Sequence, residues 1–186
     1  MSGKSLEMES AFLLAVEAVL SKAMGLDKSQ ITIDADETIP AIAGKQHIVV
    51  SPGGIARGPR SSPTTKDRYL SCRVACIQRS GDIPRDRAGS IFLRRLDGLN
   101  DIADKVSDIL EGNYSVLATA NKAMALETGQ GFVEPMMFTS IDDSPQPVFA
   151  EAFAGQSHSI PGTSDIVGIK RTIRFSGARF IQCRAR

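Results

Sequence analysis

The sequence predicts an α+β fold: two amphipathic helices packed on one face of a mostly antiparallel sheet of four strands or slightly more, connected by long loops. Three observations carry that expectation. The closing segment Ile166 to Gln182 alternates, with Val167, Ile169, Ile173 and Phe175 on one side of a period-two pleat and Lys170, Thr172 and Arg174 on the other. Leu96 to Leu110 repeats its apolar residues at three and four, the mark of a helix with one buried stripe. Gln46 to Ser51 is a β-branched run bounded by Gly44 and by Pro52-Gly53-Gly54, which reads as a strand.

Taken in chain order, the first element is a helix from about Leu6 to Met24. Leu6, Ala11, Leu14, Ala15, Ala18, Leu20 and Met24 supply its apolar face, Glu7, Glu9, Glu17 and Lys22 its wet side, and Gly25 a stop. Ile31-Thr32-Ile33 is a linker holding at most a short strand. After the 46–51 strand, Gly53 to Asp67 is poor in large apolar residues and reads as a long exposed loop or a flexible hairpin arm. A strand then starts at Tyr69, with Leu70, Cys72, Val74 and Cys76 inward and Ser71 and Arg73 outward, and pairs antiparallel with the 46–51 strand. Ser80 to Gly89 is loop. The second helix buries Leu96, Leu99, Ile102, Ala103, Val106, Ile109 and Leu110, exposes Asp101, Asp104, Lys105 and Asp108, and ends before Gly112. Tyr114 to Gly131 is mixed, with room for a helical turn at Asn121 to Leu126. Phe132 to Ser140 reads as one strand, which Pro135 places at an edge or a bulge. Asp142 to Asp165 is a long loop. In the closing strand, Arg171 occupies the apolar register: either its stem packs while its guanidinium reaches out, or that end of the strand leaves the domain.

Composition points to a single domain over 1–186, since 186 residues with 42% hydrophobic content can bury one real core. The longest apolar run lies inside Ala11 to Leu20, far short of the roughly 20 residues a membrane span needs. Glu7 and Glu9 precede that run where a secretory signal would be basic, so a cytoplasmic protein without membrane contact is expected. Three cysteines, an odd number, argue against a disulfide framework. On a strand, Cys72 and Cys76 would stand about 13 Å apart, too far for one zinc, and read as buried core thiols. Cys183, beside Arg184 and Arg186, reads as an exposed bystander.

Catalytic chemistry finds little support. His47, in a strand, and His158, in a Gly/Ser loop, lack neighbours in a nucleophile or metal spacing. Asp142-Asp143 and the Asp34, Asp36, Glu37 cluster lack the order of a calcium loop. Thr128 to Gly131 and Pro52 to Gly54 lack the Lys-Ser/Thr ending of a phosphate loop. No catalytic residue, cofactor or metal is expected.

Charge distribution says more than the net charge of +1. Residues 1–50 carry −3, 51–100 carry +6, 101–165 carry −8 and 166–186 carry +6. Such blocks can steer head-to-tail contacts between identical subunits. Arg57, Arg60, Lys66 and Arg68, with Arg79, Arg85 and Arg87, lie in or beside two loops, and Lys170, Arg174 and Arg179 lie on the closing strand. The candidate subunit or partner interface is Arg57, Arg60, Lys66, Arg68, Arg85, Arg87, Lys170, Arg174 and Arg179. The same cations permit a second class, a nucleic-acid-associated adaptor that grips phosphates. With 5% aromatic residues and no tryptophan, a base-stacking platform is not expected.

The order of elements, helix, strand, long arm, strand, helix and two further strands, resembles the tail terminator and tail completion proteins of tailed bacteriophages. Phe132-Val133-Glu134-Pro135 and the closing Arg171-Thr172-Ile173-Arg174-Phe175-Ser176-Gly177-Ala178-Arg179 are similar in texture to phage and prophage proteins of that neck class. The resemblance covers most of the chain. It implies a structural virion protein without an active site, made in the host cytoplasm. It would form a ring, typically a hexamer, that caps the tail tube and joins it to the head connector or stopper. The 53–67 arm and the 142–165 loop would then face partners, and loop arginines could line a lumen through which DNA passes.

Overall fold

The computed structural model describes residues 7–34, 46–83, 88–111, 113–125, 130–133, 138–141, 146–149 and 166–183. They form three helices, α1 (Met8–Met24), α2 (Ala88–Leu110) and α3 (Tyr114–Met124), and seven strands. The strands are β1 (Ile31–Ile33), β2 (Gln46–Arg57), β3 (Thr65–Ile83), β4 (Gly131–Val133), β5 (Phe138–Ile141), β6 (Gln146–Phe149) and β7 (Ile166–Cys183). All seven belong to one sheet. The α+β class is therefore as the sequence indicates, with a third helix and a wider sheet.

The sheet is built around β3 and β7, two long antiparallel strands in register from Thr65↔Cys183 to Ile83↔Ile166. β2 pairs antiparallel with the outer side of β3, and β1 adds to β2 in parallel, the one parallel pairing of the described sheet. The far side of β7 is occupied by three short strands end to end: β4 on 179–181, β5 on 173–176 and β6 on 166–170. The single strand expected over Phe132 to Ser140 is thus two, β4 and β5, and the segment between them lies outside the described residues. β6 likewise falls inside what reads as a loop at 142–165.

All three helices feed one core. Ala11, Phe12, Val16 and Leu20 of α1, Leu99, Ala103, Val106 and Leu110 of α2, and Val116, Leu117 and Ala120 of α3 pack together with Ile48, Val50, Leu70, Cys72, Val74, Cys76, Ile173, Phe175 and Phe180 of the sheet. Phe12 stacks on Phe175 and tilts against Phe132, which meets Phe180 edge-on at 5.2 Å. Such aromatic pairs add about 0.5–1.5 kcal/mol beyond the area they bury. The opposite sheet face has a buried set of its own, His47, Val49, Ser51, Ala75, Ile77 and Thr172. The expected inward positions Ile173 and Phe175 are fully buried, whereas the side chains of Leu96, Val167 and Ile169 lie outside the described set. Arg171 stands opposite Cys76, half-buried, with Nε out of solvent, so its stem packs.

Local chemistry sets the element ends. Gly25 closes α1 in the left-handed region at φ 66°, and the Leu26 amide donates to the Ser21 carbonyl. Asn113 joins two helices: its Nδ2 donates to the Ile109 carbonyl at 2.7 Å, and its Oδ1 accepts from the Ser115 amide at 3.0 Å as the cap of α3. Asn121 does a strand's work. Its Oδ1 accepts from the Phe132 amide at 2.7 Å and its Nδ2 donates to the Phe132 carbonyl at 3.0 Å, pinning β4 to α3.

Candidate interaction surface

The segment read as a loop or arm at 53–67 is a β-hairpin whose ladder continues to Arg57↔Arg68. Its strands outrun the sequence reading because β3 is buttressed by β7 as far as Thr65↔Cys183, so backbone pairing continues where apolar patterning has stopped. Pro52 and Gly54 mark a bulge on β2, with Gly54 at φ 123°, a backbone conformation that favours glycine. Only 58–64 is left as the connecting turn.

That turn is built around one carboxylate. Asp67 is fully buried and accepts a two-pronged pair from Arg179, Nε to Oδ1 at 3.1 Å and NH2 to Oδ2 at 3.0 Å. The Arg60 amide donates to Oδ2 at 2.8 Å. The Asp67 carbonyl accepts from the Gly58 amide at 2.9 Å, the Ser61 hydroxyl at 2.6 Å and an Arg68 guanidinium nitrogen at 3.0 Å. That same nitrogen also donates to Ser61 Oγ at 2.8 Å. Gly58 must be glycine here: a Cβ would lie 2.3 Å from Asp67 Cγ. The Arg179 guanidinium also lies 5.5 Å from the Tyr69 ring centroid. Hydrogen bonds from Arg179 hold the Asp67 carboxyl below its ordinary pKa, and the Arg60 amide adds to this against the opposing effect of burial.

The fold sorts the nine candidate cations into separate groups. Arg57, Arg60, Lys66, Arg68 and Arg179 converge on the hairpin end. Of these, Arg179 and Arg68 bind the turn itself, Arg57 is exposed and reaches the Ser61 carbonyl with one guanidinium nitrogen at 3.5 Å, Arg60 is exposed and Lys66 is half-exposed. Lys170 and Arg174 lie further along β7, opposite Ile77 and Arg73. At roughly 3.3 Å per residue, Lys170 is about 30 Å from Arg179 along the strand, so the closing strand does not present one basic patch. Arg85 and Arg87 lie outside the described residues. The Asp67 clamp was missed in the sequence, where Asp67 reads as one more loop carboxylate.

Other features offer little chemistry. A groove of about 450 Å³ between α1 and α3 is lined by Ala18, Val19, Lys22, Ala23, Asn113, Ser115 and Thr119, with one titratable group. His47 is buried, with Nε2 3.1 Å from Thr32 Oγ1, and burial lowers its pKa. Cys72 and Cys76 are buried free thiols, Cys76 pushed up to about 12 by desolvation and Cys72 higher still. Among the described residues no three His, Cys, Asp or Glu side chains gather as a metal site, and no helix is long and apolar enough to cross a membrane. His158, Asp36, Glu37, Asp142, Asp143 and residues 128–129 lie outside the described residues. No protein-family model matches the chain, and no curated protein matches it either.

Proposed function

We propose that this chain is a structural subunit of a phage tail neck, a tail terminator that forms a ring, capping the tail tube and joining it to the head connector or stopper. The observation that carries the reading is the braced basic hairpin. Its last inward core residues are Val50 on β2 and Leu70 on β3, so its own two strands continue past their core positions, and the tip is held by β7 and by the Asp67 clamp. A stiff, charged projection loses little conformational entropy on docking, which suits a part whose task is to hold a neighbour. The wide sheet supplies a rigid base for it. In this reading the protein acts by assembly, with no catalytic, metal or cofactor site, and its place is the virion after synthesis in the host cytoplasm.

The same exposed cations favour a second reading, an adaptor that grips the phosphate backbone of nucleic acid. Native mass spectrometry of the purified protein, alone and with tail tube protein, separates the two. Closed rings of defined number, six by the family resemblance, support the neck reading. A species that stays monomeric across all concentrations and with the tube protein present overturns it. Tight DNA binding by that monomer, weakening steeply with salt, would establish the adaptor instead.

A further inference from the structure

Resting on the ring reading, we infer that the hairpin of one subunit docks across the exposed face of α2 on the next subunit, so that the occupant of the α2 face is a second copy of this chain. Two surfaces of the subunit support this. The first is the hairpin, where the one acidic side chain, Asp67, is buried and already answered by Arg179. What it presents outward is therefore cationic: Arg57 and Arg60, with Lys66 beside them. Ile55, 44% exposed, shares a sheet side with Arg57 two residues on and adds an apolar contact to that edge.

The second is α2. Its buried stripe, Leu99, Ile102, Ala103, Val106 and Leu110, fixes which side faces water. Asp101, Asp104 and Asp108 stand on that outer side, Glu111 continues it just past the helix end, and all four are exposed. Spaced at three and four, these carboxylates form one row along the axis, and Lys105 is the lone cation among them. None of the four makes an ion pair among the described residues. The row spans about 15 Å at 1.5 Å per residue, long enough to meet a two-stranded hairpin about 5 Å across together with its arginines.

The two surfaces carry opposite charge, and each would be desolvated against the other at a contact that repeats from subunit to subunit. Hairpin and helix are different patches, so successive subunits can meet head to tail, the heterologous type of contact that closes rings when its rotation permits. Charge complementarity of this kind fixes register and speeds encounter, and like charges placed together disfavour the wrong pairing.

A charge-swap experiment tests the contact. One variant carries Arg57→Glu and Arg60→Glu, the other Asp104→Lys and Asp108→Lys. All four positions are exposed and the Asp67–Arg179 pair is kept in both variants, so circular dichroism should match wild type, with at most a small drop in melting temperature where the Arg57 contact to the Ser61 carbonyl and the Arg60 charge near Asp67 are lost. Each variant alone then presents two surfaces of like sign, and its assembly is expected to weaken by on the order of a hundredfold or more. Mixed in equal amounts, with one variant isotopically labelled, they should reassemble into species in which the two alternate. Variants that still assemble alone like wild type, or a mixture that does not recover assembly, would overturn the docking. The ring reading fails separately: if wild type and the mixture both stop at a dimer, the hairpin and α2 contact stands and the ring does not.

Discussion

Replacing Asp67 tests how the hairpin is held. Asp67→Asn keeps the shape of the side chain and removes its charge, so the contacts to Arg179 and to the Arg60 amide become neutral ones or are lost. Hydrogen bonds to a charged group contribute about 1.5–3 kcal/mol and neutral ones about 0.5–1.5. The carboxylate itself has no solvent contact, but its partner Arg179 keeps part of its side chain in water, so solvent screens the pair and the sum over three bonds is discounted. A loss of about 1.5–2 kcal/mol at pH 7 is expected, a fall in Tm of about 3–8 °C for a chain this size. The pH dependence gives the sharper test. The carboxyl titrates lower in the folded chain than in the unfolded one, so its contribution is complete above the ordinary carboxylate value near 3.9 and drains away as pH falls through that value toward the folded one. Urea unfolding of wild type and Asp67→Asn at pH 7 and pH 3 should show the stability gap narrowing at the lower pH. Equal stability at pH 7, or a gap unchanged between the two, would refute the clamp.

Three further outcomes follow from features described above. Asn121→Ala leaves the Phe132 amide and carbonyl without their partner, and should cost about 1–3 kcal/mol in chemical denaturation, with faster hydrogen exchange at Phe132. His47 is held neutral by burial, so the unfolded chain binds its proton more readily; stability should decline as pH falls from about 7 through the unfolded value near 6.5, and His47→Gln should flatten that slope. Thiol titration of the native protein should find Cys183 reactive at once and Cys72 and Cys76 only after unfolding; rapid native reaction of all three would contradict the burial of the pair.

Elements with strong periodicity were legible: the 96–110 part of α2 and the paired strands around Val50, Val74 and Ile173; α1 was legible as a helix, but its buried face takes in Phe12, Leu13 and Val16, while Leu14 and Ala18, expected inward, are exposed. The helix α3 was not, beyond a turn near Asn121, because its buried set of Val116, Leu117, Ala120 and Met124 is small and sits among Ser, Thr and Asn that also suit loops. The early start of α2 at Ala88, the run of β3 through Ser80 to Ile83 where a loop was expected, the division of the 132–140 strand into β4 and β5, and the strand β6 draw on packing and pairing with distant chain, which local pattern does not encode. At the candidate surface, the cations were visible singly. What brought five of them to one end was the register of β2, β3 and β7, which also sets Asp67 against Arg179 across a separation of 112 residues.

The strand β7 has a kinetic meaning as well. It is the last strand in chain order, yet β3 needs it on one side, and β4, β5 and β6 have it as their partner on the other. Four of the other six strands therefore wait, during synthesis, for a segment that leaves the ribosome after all of them. Until it arrives, β3 offers an open edge flanked by Cys72, Val74 and Cys76, the kind of surface that invites aggregation. The long-range pairing that follows makes slow folding the expectation, and it makes β7 the segment whose addition completes the subunit. A chain shortened before Ile166 should accumulate as insoluble material, while one that includes it can fold first and assemble afterwards.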